Sequence, residues 1–326
     1  MSWLSDDALH RLRSAASAPD LSHTRYRMLE EIGRGGMCTV FLAEDPSLER
    51  RVALKVLDVP DESGDLALRL TREAKILARL EHPGIAPVYE VGRLPDGRVF
   101  YAMKFVEGPR LDTFAAGSAT LSARLRVFQR IVEAVAFAHD RGVLHRDLKP
   151  ENIMVGPFGE VLVMDWGLAT ALRREPGGAM IPSGDAGSPP AAETGPHTGH
   201  GVVLGTPGYM APEQERGEVD SLDARSDVYA LGALLHALAA VGTEPMPAPL
   251  LAIRAKAMAR DQRDRYPDAS AVGAEIARYL DGRRVEAFPE TVIQKLARLY
   301  SRHKIAVWLV VTYLVVRGTL LFFSGR

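Results

Sequence analysis

Three short runs in this chain gather carboxylates, an amide and cations in order: His145-Arg146-Asp147-Leu148-Lys149-Pro150-Glu151-Asn152, then Asp165-Trp166-Gly167, then Ala211-Pro212-Glu213. Ahead of them stand a glycine cluster, Ile32-Gly33-Arg34-Gly35-Gly36-Met37-Cys38-Thr39-Val40, and a lysine in Val52-Ala53-Leu54-Lys55. Glycines let backbone amides approach phosphate oxygens closely, although a plain Gly-rich hairpin gives the same pattern. The cluster follows a predicted strand and opens no helix, so the dinucleotide and Walker phosphate loops lack their context. Lys55 puts an ammonium in an apolar alternating segment. Glu73 falls on the helical stripe Leu66, Leu70, Leu77 and Leu80, at spacings of three and four from Leu70 and Leu77. A carboxylate facing a core is costly unless paired, and Lys55 is the obvious cation.

These residues need elements to hold them. Segments 26–32, 38–44, 51–57, 85–92 and 98–106 are short and rich in Val, Ile, Phe and Tyr, with Pro95, Asp96 and Gly97 as a turn between the last two; they predict a five-stranded sheet. From Leu121 onward, Leu125, Phe128, Val132, Val135 and His139 recur at helical spacing, as do Leu231, Leu234, Leu235 and Leu238. Strands first and helices second imply an α+β chain: a small β-rich lobe, a larger helical lobe, and a cleft between them.

Taken together and in this order, the motifs resemble those of the eukaryotic-like (Hanks-type) protein kinases, of the Ser/Thr type found in bacteria, over about residues 26 to 280. The resemblance implies a bilobal protein-kinase-like fold, with an N-lobe at 25–106 that carries one main helix and a helical C-lobe at 107–282. It also implies ATP and Mg²⁺, or Mn²⁺ in its place, in the cleft. Lys55 would hold the α/β-phosphates while paired to Glu73, Asp147 would accept or orient the hydroxyl proton, and Lys149 would contact the transferring phosphate. Asn152 and Asp165 would bind the metal. Ile32, Gly33, Gly35 and Gly36 would cover the nucleotide; Val40, Ala53 and Met154 would wall the adenine, with Met103 as gatekeeper and Lys104 to Val106 as the linker. Core packing alone would also explain the apolar members of that pocket. Thr206 would line the acceptor site, Glu213 and Arg265 would form a bracing ion pair, and Asp227 would hold the catalytic loop. The implied activity is transfer of the ATP γ-phosphate to protein Ser/Thr hydroxyls, with autophosphorylation. The rival readings are a pseudokinase acting as a nucleotide-binding signalling module and, more remotely, a small-molecule phosphotransferase.

Four departures bear on that reading. Cys38 stands where the family has the third loop glycine, and Trp166 replaces a Phe, so its N–H needs a partner. Residues 174–201 hold seven Gly and five Pro, a composition expected to be mobile, and include Ser183, Ser188, Thr194 and Thr198. A phosphate on Thr194 or Thr198 would pair with Arg146; a passive insertion is the alternative. Only 38 residues separate Asp227 from Arg265, and Gly242 to Pro249 leave no room for the family's extra helix.

Hydrophobic residues make up 47% of the 326, enough for a sizeable core, which excludes wholesale disorder. Lys+Arg at 40 against Asp+Glu at 41 give a net charge of -1 and no global pull toward nucleic acid. One cysteine excludes an internal disulfide and fits a reducing compartment. Residues 1–24 read as an N-terminal extension. Residues 305–323 form an apolar stretch that at about 1.5 Å per residue reaches roughly 28 Å, close to one bilayer core, with Arg317 as the costly exception. Lys295, Arg298, Arg302 and Lys304 precede it in a basic linker helix, 283–304, and by the positive-inside bias keep the body in the cytoplasm. The expectation is a single-pass inner (cytoplasmic) membrane protein. The alternative is a soluble cytoplasmic chain with a buried or interfacial helix. If the chain is complete, no sensor domain follows. Protein substrates, ATP, the membrane and a second copy in a homodimer are the expected partners.

Overall fold

The computed structural model describes residues 18–35, 37–60, 64–117, 120–166, 170–174, 180–182, 208–218, 221–241, 245–289 and 308–318. Five strands, β1 (Arg27–Arg34), β2 (Cys38–Asp45), β3 (Arg50–Leu57), β4 (Val88–Arg93) and β5 (Val99–Lys104), form one antiparallel sheet in the order β1-β2-β3-β5-β4. Strand alternation sorts their side chains. Val52, Leu54, Val56, Phe100 and Ala102 pack on one face, closed over by Leu21 and Tyr26. Ala53, Leu57, Tyr101 and Met103 join the main core on the other. Helix α1 (Asp65–Arg79) follows Gly64, whose φ of 81° suits glycine, and buries Ala67, Leu70, Glu73, Ala74, Ile76 and Leu77 against the sheet.

The second lobe is helical: α2 (Leu111–Ala116), α3 (Leu121–Asp140), α4 (Pro212–Glu215), α5 (Ala224–Ala239), α6 (Ala248–Ala257) and α7 (Ala269–Leu280). Thr120, Asp223 and Asp268 cap α3, α5 and α7 by accepting backbone N–H bonds. Helix α3 packs on α5 and α7, with Leu125, Phe128, Ile131 and Val135 fully buried. Between α3 and α4 lie β6 (Val143–Leu144), the hairpin β7 (Ile153–Val155) and β8 (Val161–Val163), and β9 (Thr170–Arg174) paired to both β6 and β10 (Met180–Pro182).

Several boundaries differ from expectation. The strand expected over 85–92 begins at Val88, because Pro87 has no N–H for a ladder and Ile85 bridges Val163 instead. The one expected over 98–106 ends at Lys104. Within 174–201, whose composition is expected to be mobile, Met180–Pro182 pairs antiparallel with Leu172–Arg174. Between α5 and α6 the described residues 240–241 and 245–247 are not helical, and 242–244 lie outside the described residues. Residues 283–288 fold back on α7: Val285 is buried, and the Glu275 carboxylate accepts from the amides of Glu286 (3.2 Å) and Ala287 (2.9 Å). Residues 308–318 are helical with Trp308, Leu309, Tyr313 and Leu314 exposed, and among the described residues no helix is long and apolar enough to cross a membrane. Gly36, Ser183, Ser188, Thr194, Thr198 and Thr206 lie outside the described residues, as do 1–17, 290–307 and 319–326.

Candidate active site

Lys55 is the meeting point of the two lobes. It leaves β3 on the face that looks toward α1, and its Nζ lies 2.9 and 3.0 Å from the two Glu73 carboxylate oxygens and 2.9 Å from Asp165 Oδ1. Glu73 is 4% exposed, so the expected pairing satisfies a buried carboxylate, whereas Asp165 is 50% exposed at the cleft. Burial would lower the Lys55 pKa, but Tyr101, Glu73 and Asp165 around it hold the ammonium well above its ordinary value. For Asp165 burial acts upward and the Lys55 charge outweighs it, so the carboxyl sits below its usual range.

Asp147 stands on the loop between β6 and β7. Its Oδ2 takes Lys149 Nζ at 2.8 Å and Asn152 Nδ2 at 3.1 Å, and the same Nδ2 donates to the Asp147 carbonyl at 2.9 Å. The Asp147 amide donates to His145 Nδ1 at 3.3 Å; the ring's proton therefore sits on Nε2, which donates to the Met164 carbonyl at 3.0 Å. Arg146 has a φ of 69°, a strained value for a side chain of its size. Asp227 secures it: Oδ1 accepts from the Arg146 amide and Oδ2 from the His145 amide, each at 2.8 Å, while His139 Nε2 lies 2.9 Å from Oδ2. Burial pushes the Asp227 carboxyl up, and His139 and His145 more than reverse it, so it is held below the usual range. Gln214 Nε2 completes the loop by donating to the Arg146 carbonyl at 2.9 Å.

Around the proposed nucleotide pocket, Ala53, Met103 and Val106 are buried, Val40, Met154 and Gly33 half-buried, and Ile32 and Gly35 exposed. The Gly35 amide donates to the Cys38 carbonyl at 2.8 Å, which closes the glycine turn; Cys38 itself is buried. Lys104 N–H donates to the Pro87 carbonyl at 3.1 Å, so a base could not draw on that donor. Gly108, at φ 155°, is obligatory, since a Cβ there would stand 2.2 Å from the Val155 carbonyl oxygen. Trp166 finds the partner its N–H requires, the Val163 carbonyl at 3.2 Å, and its ring lies tilted by 53° against the His145 ring at 4.5 Å between centroids.

The donor set also fits a divalent cation. Asn152 spends Nδ2 on Asp147, which leaves Oδ1, and Asp165 spends Oδ1 on Lys55, which leaves Oδ2; both are hard oxygens, on a buried Asn152 and a half-exposed Asp165. Deeper in the helical lobe, Arg265 grips Glu213 with two bonds of 2.8 and 2.9 Å, and Ser226 Oγ adds a third at 2.9 Å. Sequence reasoning did not single out Tyr101, His139 or Gln214 as parts of the site. The register of β3 against β5 places Tyr101 beside Lys55, the one signal that could have found it.

The family described as "Protein kinase domain" matches residues 26–261. Among curated relatives, the serine/threonine-protein kinase PknD of Protochlamydia amoebophila is 33% identical over 302 residues, covering 79% of this chain and 30% of that protein. PknD of Chlamydia muridarum is 40% identical over 234 residues, covering 65% of this chain and 24% of the relative. The chain thus spans about 30% of the length of the first of these and less of the second. A crystal structure of the Mycobacterium tuberculosis PknI kinase domain superposes with a TM-score of 0.56 at 24% identity, over 79% of this chain and 96% of that domain, a likeness of fold. With a five-stranded lobe, a helical lobe and the Lys55, Asp147 and Asp165 constellation inside the matched region, the chain belongs to the protein kinase domain family.

Proposed function

We propose that this chain is an ATP-dependent serine/threonine protein kinase that passes the γ-phosphate of ATP to protein hydroxyls and autophosphorylates. The observation that carries the reading is Lys55 Nζ within 3.0 Å of both Glu73 and Asp165 while Asp147 is held by Lys149 and Asn152. Lys55 would receive the α/β-phosphates, and its pairing to Glu73 fixes where it waits. Asp147 Oδ1 would accept or orient the acceptor's proton, and Lys149 would neutralise charge on the group in transfer. Asn152 Oδ1 and Asp165 would hold the divalent ion, Mg²⁺ or alternatively Mn²⁺, which when bound neutralises phosphate charge. Positioning and electrostatics carry the reaction, because phosphoryl transfer asks for little covalent chemistry from the protein.

Two further parts belong to this proposal. Residues 305–323 would tether the kinase to the inner membrane with its catalytic body in the cytoplasm, a reading supported by exposed apolar residues along 308–318 and by the cations that precede them. A phosphate on Thr194 or Thr198 would meet the guanidinium of Arg146, whose pKa burial already lowers and which would gain an anion.

The test incubates the full chain, in detergent, with Mg²⁺ and labelled ATP, wild type beside Asp147→Asn. Label should appear on Ser or Thr in the wild type and vanish in the variant; equal labelling in both overturns the assignment. Bound nucleotide without label in either would favour the signalling-module reading. Carbonate extraction of membranes tests the tether, which predicts retention in the pellet, and phosphopeptide mapping tests Thr194 and Thr198.

A further inference from the structure

Glu73 has a partner beyond the lysine that the kinase reading requires. Tyr101 Oη donates to Glu73 Oε1 at 2.7 Å, onto the same oxygen that lies 2.9 Å from Lys55 Nζ. Tyr101 and Lys55 are register partners across β3 and β5, so both side chains leave one face of the sheet side by side and converge on one carboxylate of α1. Tyr101 is 1% exposed, and its ring lies 5.8 Å from the Lys55 nitrogen.

The two donors do different work. An ammonium is a compact charge on a flexible stem that accepts a carboxylate over a wide range of angles, and Lys55 has a second anion at hand in Asp165. A phenol O–H sits on a rigid ring and is directional. If α1 swung outward, Glu73 would find water and Lys55 would keep Asp165. The Tyr101 hydroxyl would be stranded in the core, and an unsatisfied buried donor is penalised. Burial, aided by the Glu73 charge, also raises the phenol's pKa well above its ordinary value, so it remains a donor at neutral pH.

We infer that Tyr101 is a positioning residue whose hydroxyl latches α1 inward, so that the Lys55 and Glu73 pair is assembled before nucleotide arrives. Its consequence for catalysis rests on the kinase reading; the latch itself does not. The latch predicts a split between kinetic constants. ATP binds the α1-in state, so a lower population of that state weakens apparent affinity, while saturating ATP restores the assembled site.

The experiment removes one oxygen with Tyr101→Phe in the full chain and measures amide hydrogen exchange without nucleotide, then steady-state kinetics. Protection of α1 should fall about tenfold, the scale of one hydrogen bond to a charged group, with α3 unchanged. KM for ATP should rise several-fold at a kcat within about twofold of wild type. In a Glu73→Gln background, where an acceptor persists but is neutral, the same Tyr101→Phe change should add only about threefold, because the charged acceptor is gone. Unchanged α1 exchange overturns the latch, and so does an equal loss in the Glu73→Gln background, which would mean packing alone. Lost α1 protection in a protein whose wild type transfers no phosphate would uphold the latch and sink the kinase reading instead.

Discussion

Glu73 in the N-lobe and Glu213 in the C-lobe are both buried carboxylates paired to a cation, yet they are built for opposite purposes. Arg265 spends its whole guanidinium: two bonds go to Glu213 and others to the carbonyls of Ala259, Arg225 and Arg260, with the side chain fully buried. Every charge there is answered within the fold, so the pair is closed to ligands. The Lys55 ammonium is shared between a buried Glu73 and a half-exposed Asp165, so one of its two counter-ions reaches solvent. A satisfied ion pair braces; a pair whose cation is shared with a solvent-facing carboxylate can exchange that partner.

The same substitution at both sites should break this symmetry most visibly. Glu213→Gln leaves a buried guanidinium without its counter-charge and should cost about 3 to 5 kcal/mol, read as a lowered urea midpoint. Glu73→Gln keeps an acceptor for Tyr101 and leaves Lys55 with Asp165, so its stability cost should be about 1 kcal/mol while turnover falls roughly a hundredfold. Equal stability losses would erase the distinction.

Acid should find the closed pair next. Burial pushes the Glu213 carboxyl up, but its bonds to Arg265 bring it down to about 2 from an ordinary 4.5. A carboxyl depressed in the folded state contributes stability in full above its unfolded pKa, and loses it as pH falls from about 4.5 toward about 2. Unfolding at pH 3 and pH 6 should therefore differ by a couple of kcal/mol more in the wild type than in Glu213→Gln. Identical pH dependence in the two proteins would remove Glu213 from the acid response.

Trp166→Phe sharpens the picture at smaller scale. The indole N–H is spent on the Val163 carbonyl, and the ring fills a wholly buried slot. Losing one neutral hydrogen bond and part of a ring should cost about 1 to 2 kcal/mol, with turnover within several-fold of wild type.

What was legible in the sequence follows from the same physics. Lys55 and Glu73 stand out because each breaks the polarity of its own element, and a breach in an apolar pattern demands a partner. The loop from His145 to Asn152 stands out because its chemistry is contiguous. Tyr101 breaks nothing: an aromatic in an apolar strand is expected, and only strand register shows that its hydroxyl meets a carboxylate of α1. His139 reads as the last member of an apolar stripe on α3, although its imidazole serves Asp227, 88 positions further on. Glu275 is opaque for the same reason, since its amide donors come from a segment that turns back after α7. The fold class was plain and the long-range polar contacts were not, because periodicity reports which face is buried and says nothing of what a buried polar atom will meet there.

The mildest prediction concerns Cys38, at the start of β2 where the family carries a glycine. Burial pushes its thiol up, although Lys55 acts the other way, and the result is about 11 against an ordinary 9. The thiolate is the nucleophile, so two units of depressed ionisation alone slow alkylation about a hundredfold relative to the unfolded chain. Iodoacetamide at pH 7.5 should therefore label the native protein slowly and the urea-unfolded protein fast, with no change of activity during the slow phase. The Glu213→Gln variant, weakened in the other lobe, should label at the wild-type rate under conditions where it remains folded. Faster labelling there would mean that the brace in the helical lobe also controls the opening of the sheet, and that the two carboxylates belong to one cooperative unit.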